Sequence, residues 1–310
     1  MAGRSYRKSR FREVEMKYSI SVIIPTTASA VRAPLLWRAL HSLQDNQDGL
    51  ALPIVVVNGS RYVPEALAYL KRRRDIHCLY LDESNHCAAR LAGRQAVDTD
   101  FFAMLDDDDE YLPDAMQHQL SPLLRDPSID VVITNGFQRE HGRDAMVFPD
   151  FSTFQSDPAG HLMHDSWLRG GGVLFRTARI PPHYLEVPRS MELTYMALKL
   201  ALSRRLHFLN VPTFRWYRDT PESLSETQDY QQGEPEGIRR MLALHPPTTI
   251  RRRLAQKYAA SLHHLSESER REGHYWAAWR YHLRSLASPY GIRYLSYTRH
   301  LFGLVSRLVM

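Results

Sequence analysis

Between residues 18 and 134, five short apolar runs alternate with segments whose apolar residues recur at helical spacing. The runs at 18–24, 53–57, 76–81, 100–105 and 129–134 are short and rich in β-branched residues, so they read as strands. Leu35, Leu36, Ala39, Leu40 and Leu43 mark one face of a helix after the first run, and 64–71 and 88–97 fill the next two gaps. Few folds accept that order. Strands alternating with helices build a largely parallel sheet covered on both faces, an α/β architecture.

The fourth run ends in charge. Leu105 is followed by Asp106, Asp107, Asp108, Asp109 and Glu110, and then by Pro113, a residue suited to the first position of a helix. These acids emerge at the carboxyl end of a strand, the edge where ligands bind in open α/β sheets. Adjacent carboxylates repel one another unless water or a cation neutralises them. In an extended chain residues i and i+2 share a face, so Asp106 and Asp108 are placed to point at one ion. Mg2+ and Mn2+ favour oxygen ligands, and Mg2+ is commonly held by one or two carboxylates plus substrate phosphates. A solvated acidic turn is the plain alternative.

Beyond residue 134 the pattern loosens. Residues 137–170 read as loops with a short hairpin; Gly170-Gly171-Gly172 leads into a strand at 173–176, a helix at 191–202, and strands at 206–211 and 213–218. The polar stretch 229–236 suggests a boundary, dividing the chain into a basic, fraying segment 1–17, a domain 18–236 and a helical region 237–310. Segment 1–17 has no apolar centre, so it does not read as a secretory signal. In the helical region Leu254, Tyr258, Leu262 and Leu265 fall at helical spacing, and 273–289 resembles one half of a tetratricopeptide-type helix pair. Residues 294–310 are apolar but carry Arg299 and Arg307, which suits packing on neighbours or lying on a membrane surface.

Charge and cysteine content narrow the function. The two cysteines, Cys78 and Cys87, make no disulfide framework and fit a reducing compartment. No uncharged apolar run reaches the roughly 18 residues a spanning helix needs. The net charge of +6 is uneven: residues 237–310 carry 13 Lys and Arg against 3 Asp and Glu, leaving the rest net negative. A basic tail on an acidic body points to an anionic surface as partner, whether membrane lipid, a polyanionic glycan or nucleic acid, with a merely solvated helical surface as the plain alternative. No nucleic-acid motif accompanies it, so no nucleic acid is expected as a partner. The 15 histidines, His263-His264 included, show no metal-ligand spacing and suit surface or core roles.

Four motifs now stand in order: Ser21-Val22-Ile23-Ile24-Pro25-Thr26-Thr27, Val55-Val56-Val57-Asn58-Gly59-Ser60, the stretch from Asn85 to Gly93, and the acidic turn. Together, over about residues 18–225, they resemble the inverting family 2 glycosyltransferases, which have the GT-A fold. The resemblance implies a nucleotide-sugar donor, UDP-linked, and a divalent cofactor, Mg2+ or Mn2+, held by Asp108 and Asp106. It places Pro25, Thr26 and Thr27 under the nucleobase and ribose. Asn58 stands where the family usually has an aspartate, which leaves the choice of base open, since an amide donates as well as accepts and carries no charge. Asn85 and Arg90 fall in the family's Asn- and Arg-containing donor stretch, where Cys87 and Leu91 replace the usual Gly and Asn; Arg90 bonds a phosphate or pairs with a nearby acid. Asp107 and Asp109 are assigned to the turn and to the amino end of the next helix. Gly171-Gly172 resembles the strand beside the acceptor site, or simply makes a turn. Glu192 is the candidate catalytic base. Arg218, beside Trp216 and Tyr217 and before Ser223 and Ser225, matches the segment that closes on the diphosphate.

A metal-dependent, inverting glycosyl transfer to a hydroxyl of a glycan or lipid-linked acceptor is therefore expected, in surface glycan or glycolipid synthesis. The expected location is the cytoplasm, at the inner face of the plasma membrane, with peripheral contact to anionic lipid through the basic C-terminal helices. A non-catalytic nucleotide-sugar or glycan-binding protein on the same fold is the alternative. A sugar-phosphate nucleotidyltransferase would carry a Gly-rich phosphate loop near the amino terminus, and Pro25-Thr26-Thr27-Ala28 is not one.

Overall fold

The structure, a computed structural model, describes residues 20–45, 50–222 and 227–302. The basic segment 1–17, Tyr18, Ser223, Ser225 and Arg307 lie outside the described residues. Strands β1 (Ile20–Thr26), β2 (Ala51–Asn58), β3 (His77–Leu81) and β4 (Phe101–Met104) alternate with helices α1 (Ala33–Asp45), α2 (Pro64–Arg72) and α3 (His86–Gln95). These four strands are parallel and lie in the order β3-β2-β1-β4. The order reverses between β1 and β4, which makes that crevice the switch point of the sheet.

Both faces of the parallel half are covered, and the side chains show it. In β4, Phe101 and Ala103 pack with Leu36, Leu40 and Leu43 of α1, while Phe102 and Met104 pack on the opposite face with Trp167 and Phe175. This two-residue alternation is what a strand buried on both sides must do.

The second half of the sheet is mixed. The acidic turn runs into a two-residue strand, β5 (Glu110–Tyr111), before α4 (Ala115–Arg125). The helix opens two residues after Pro113 because Asp114 takes a left-handed conformation, with φ of 60°. A hairpin of β6 (Val131–Glu140) and β7 (Arg143–Met146) follows, then α5 (Pro158–Leu162), β8 (Val173–Arg176), α6 (Glu192–Ala201) and β9 (Leu206–Tyr217). Strand β8 runs antiparallel to both β4 and β6 and so joins the two halves. The two strands expected at 206–218 are one strand. Its register against β6 slips near Pro212, which has no amide proton to donate, so the ladder bulges instead of breaking.

Gly171 and Gly172 have a role the sequence does not display. With Gly136 they form a slot for the ring of Phe214, which is 1% exposed. A Cβ at Gly171 would lie 2.7 Å from the Phe214 Cβ, and its φ of 75° suits glycine. The Gly171 amide donates to the Met104 carbonyl at 2.7 Å, which holds this segment against the end of β4.

After β9 the chain is helical: α7 (Gln228–Gln232), α8 (Glu234–Leu242), α9 (Thr248–Arg271), α10 (Tyr275–Ala287), a 3-10 segment (Gly291–Tyr297) and α11 (Thr298–Phe302). The composition changes at 229–236, yet packing continues through it. Ile238, Met241, Ile250 and Leu254 lie in the same core as Phe175 and Met196. Helices α9 and α10 form a hairpin whose contact is lined by small residues; Ser266 Oγ donates to the Ala278 carbonyl and Ser285 Oγ to the Ala259 carbonyl, each at 2.8 Å.

Candidate active site

A cavity of about 360 Å3 opens at the carboxyl ends of β1, β2 and β4, and Pro25, Thr26, Thr27, Asn58, Arg90, Asp106, Asp108 and Glu192 all line it. The acids reach it by a route other than strand alternation. The Asp109 amide donates to the Asp106 carbonyl at 3.1 Å, so the chain turns across Asp107 and Asp108 instead of staying extended. The turn still leaves the side chains of Asp106 and Asp108 on the cavity, 31% and 17% exposed, and draws Asp107 inward to 5%.

Each acid has its own partners. Asp106 pairs with Arg90 of α3 at 2.7 Å. Asp107 accepts from Thr26 Oγ1 at 2.5 Å and from the guanidinium of Arg32, at the start of α1. Asp108 pairs with the same guanidinium at 3.2 Å. Asp109 accepts from the Tyr217 amide at 3.2 Å, which ties the turn to β9. Asp107 and Asp109 therefore serve the turn, and neither reaches the amino end of α4, because β5 and Asp114 intervene. Burial pushes the pKa of Asp107 up, and the hydrogen bond and charge of Arg32 only oppose it. Burial likewise raises Asp108, with Arg32 opposing and the charge of Asp106 adding to it. Asp109 lies well above the usual range, first from burial and then from its charged neighbours. Four carboxylates thus share the turn with the guanidinium groups of Arg32 and Arg90, a setting that a bound cation would neutralise further.

Glu192 opens α6 after Met191, a non-glycine residue in the left-handed region with φ of 59°. Its carboxylate meets three groups: Arg90 at 3.2 Å, His86 at 3.5 Å, and the hydroxyl of Tyr230, which donates at 3.0 Å. Burial would raise its pKa; the hydrogen bond from His86 and the charges of Arg90 and His86 outweigh that and hold it at about 2. Arg90 thus links Asp106 to Glu192 inside the protein, the ion-pair role open to it from sequence. Burial pushes the Cys87 thiol up to about 12, with the charge of Glu192 adding to that, so it is a packing group here.

Other expected donor contacts are differently employed. Both ends of the Asn58 amide are taken: its nitrogen donates to the Thr26 carbonyl at 2.9 Å and its oxygen accepts from the Asn85 amide at 3.1 Å. Asn85 caps α3, accepting from the amides of Cys87 and Ala88 at 3.1 Å, and is absent from the cavity wall. Arg218 also stands off the cavity. It extends from the end of β9 to Glu140 of the neighbouring hairpin at 3.8 Å and is 58% exposed. Thr27 Oγ1 and Arg90 Nε are buried at the site and find no hydrogen-bond partner among the described residues.

Sequence reasoning missed Arg32, His86 and Tyr230 as site residues. Arg32 had a signal: it immediately precedes the α1 apolar face and follows the Pro25-Thr26-Thr27 loop. Tyr230 had none, because its reach to Glu192 spans 38 residues.

A cation fits this donor set as a two-carboxylate site. Among the described residues, the three-residue grouping of metal-type ligands is Glu269, Glu272 and His274, at the α9–α10 turn. At the acidic turn Asp106 and Asp108 would hold an ion whose remaining ligands come from substrate oxygens and water.

Residues 21–171 match the sequence pattern of glycosyl transferase family 2. No curated protein matches the chain by sequence. The fold is similar to crystal structures of residues 1–349 of S. aureus TarS. The complex with UDP-GlcNAc aligns at 14% identity over 79% of this chain and 72% of that one, with a TM-score of 0.58. The complex with UDP aligns at 15% identity over 83% and 75%, with a TM-score of 0.53. With the acidic turn, the β1 loop and the α6 carboxylate gathered at one switch point, the chain is similar to the family 2 glycosyltransferases over residues 21–171 and has a GT-A-type fold with a helical C-terminal region.

Proposed function

We propose that this glycosyltransferase moves a sugar from a UDP-linked donor to a hydroxyl of a glycan or lipid-linked acceptor, with inversion and with Mg2+ or Mn2+ as cofactor. The observation that carries the reading is that Asp106, Asp108, the Pro25–Thr27 loop and Glu192 line one cavity. The fold neighbours solved with UDP-GlcNAc and UDP support a uridine donor. When bound between Asp108 and Asp106, the divalent ion supplies neutralisation of the charge that builds on the departing diphosphate. Thr27 Oγ1, buried without a partner, is a donor for the nucleotide. Asn58 acts by fixing the β1 and α3 loops around the base. Arg90 holds Asp106 and Glu192 in register across the site.

Glu192 takes the role of general base toward the acceptor hydroxyl. Held down to about 2, it is a weak base already engaged by Arg90, His86 and Tyr230, so its basicity must rise when substrate draws Arg90 or His86 away. Glu192→Gln should keep nucleotide binding and lose turnover at least about a hundredfold. A panel of nucleotide sugars, read for donor hydrolysis and for transfer, tests both statements. Unchanged turnover in Glu192→Gln removes the base role, and no turnover of any donor with Mn2+ present removes the donor reading.

The helical region carries the contact with anionic membrane. Among the described residues no helix is long and apolar enough to cross a membrane. On α10, however, Trp276 is 91% exposed and Leu283, two turns on, is 56% exposed, while Ile292, Leu295 and Phe302 stand out beyond them. Arg280, Arg284, Arg293 and Arg299 are interspersed, and no Asp or Glu follows Glu272. An apolar surface rimmed by arginine and free of acids suits an anionic lipid interface. The protein should sediment with vesicles containing phosphatidylserine and stay in solution with phosphatidylcholine alone. Trp276→Ala with Leu283→Ala should weaken that binding at least about fivefold. Equal partitioning to both vesicles, or a dimer that the double variant dissolves, contradicts it.

A further inference from the structure

We infer that Arg32 is a built-in counter-cation that competes with the divalent ion for Asp108 and so sets the affinity of the metal site. This rests on the reading of Asp108 as a metal ligand. The guanidinium of Arg32 spans both inner acids of the turn. Its Nε donates to Asp107 Oδ2 at 3.3 Å and a second nitrogen also binds Asp107. Toward Asp108, Nη1 lies 3.3 Å from Oδ2 and Nη2 lies 3.2 Å from Oδ1, so each carboxylate oxygen already faces positive charge. Nη1 also donates to the Pro221 carbonyl at 3.3 Å.

The two grips are unequal in kind. Asp107 is 5% exposed and fixed by Thr26, whereas Asp108 is 17% exposed and its partner distances are longer. Arg32 is itself anchored, because its amide donates to Ser29 Oγ at 3.3 Å and its carbonyl accepts from the Leu36 amide at 2.9 Å in the first turn of α1. A divalent ion on Asp108 would sit within a few ångströms of this guanidinium, where like charges repel strongly in a partly buried site. Loading therefore requires Arg32 to let go of Asp108 while keeping Asp107. In the ion-free protein the same arginine keeps the acidic turn from repelling itself apart.

Mn2+ titration of the full chain without nucleotide, followed by the loss of the free-ion electron paramagnetic resonance signal, tests this. Arg32→Met keeps length and removes charge, and should bind Mn2+ about tenfold tighter than the wild type. Arg32→Lys keeps the charge and gives up the two-acid fork; it should fall between the two and serves if Arg32→Met does not fold. Equal or weaker Mn2+ binding in the variant that folds overturns the competition while leaving the metal reading intact. Absence of Mn2+ binding in wild type and variants alike, with UDP added or not, overturns both.

Discussion

Replacing Asp108 by alanine lowers glycosyl transfer at least about a thousandfold while leaving the protein as stable as before, or more so. The two halves of that expectation come from one geometry. Asp108 lines the cavity, and in the role proposed for it as a ligand of the divalent ion its loss would remove charge neutralisation at the departing diphosphate. In the ion-free fold the same carboxylate is a liability. Its charge helps to push Asp109 well above the ordinary carboxylate range and adds to the upward shift of Asp107. Alanine relieves that repulsion, and Arg32 keeps Asp107 as its partner. A functional site that costs stability is a common trade. Product formation at saturating Mn2+ and the unfolding temperature of both proteins, measured side by side, check the two halves. A variant with full activity contradicts the assignment of Asp108.

Arg90→Met carries the largest expected loss of stability. Its guanidinium is almost fully buried between Asp106 and Glu192, and removing one partner of a buried ion pair costs about 3–5 kcal/mol. That lowers the unfolding temperature by roughly 10 °C. Adding Glu192→Gln to Arg90→Met should recover part of the loss, because the amide removes the buried uncompensated charge at 192 and leaves only the more exposed Asp106 without its arginine; a double-mutant cycle measures the coupling. The pH dependence has a definite sign. Glu192 lies at about 2 in the fold against an ordinary value of 4.5, so the stability it contributes is complete above 4.5 and drains away as the pH falls toward 2. In Arg90→Met one of the charges that hold Glu192 down is gone, so its folded value rises toward the ordinary one, and the loss on acidification should be smaller and finish at a higher pH. Purely additive effects in the cycle contradict the linkage between Arg90 and Glu192.

The parallel half of the fold was legible because each of its strands is a buried apolar run ended by a turn residue. Asn58-Gly59 at the end of β2 and the acids after β4 are such endings. The second half was harder to read for physical reasons. β5 is two residues long and lies inside what reads as the end of the acidic turn, and β9 bulges at Pro212 where the sequence suggests a break. Gly171 and Gly172 read as a turn or a substrate approach, whereas the packing of Phe214, more than 40 residues later, decides them.

At the site, sequence brought Asp106, Asp108, Thr26, Arg90 and Glu192 to one cavity, because strand ends and helix starts meet at a switch point whatever the intervening loops do. It did not reveal which of these groups are already paired. The contacts of Arg32 with the acidic turn and of Tyr230 with Glu192 cross 75 and 38 residues, and no local pattern encodes them. Arg218 was placed by its motif alone. Its side chain follows the β6–β7 hairpin to Glu140, a direction set by how far β9 extends before the chain leaves the sheet.

The central claim is that Asp106 and Asp108 grip a divalent ion that anchors a nucleoside diphosphate. Anomalous diffraction at the manganese edge, from crystals grown with Mn2+ and UDP, addresses it directly. A single strong peak within coordination distance of both carboxylates and of the diphosphate oxygens is the expected result. A density map with UDP bound and no manganese at the acidic turn, or with both missing from the cavity, contradicts the account.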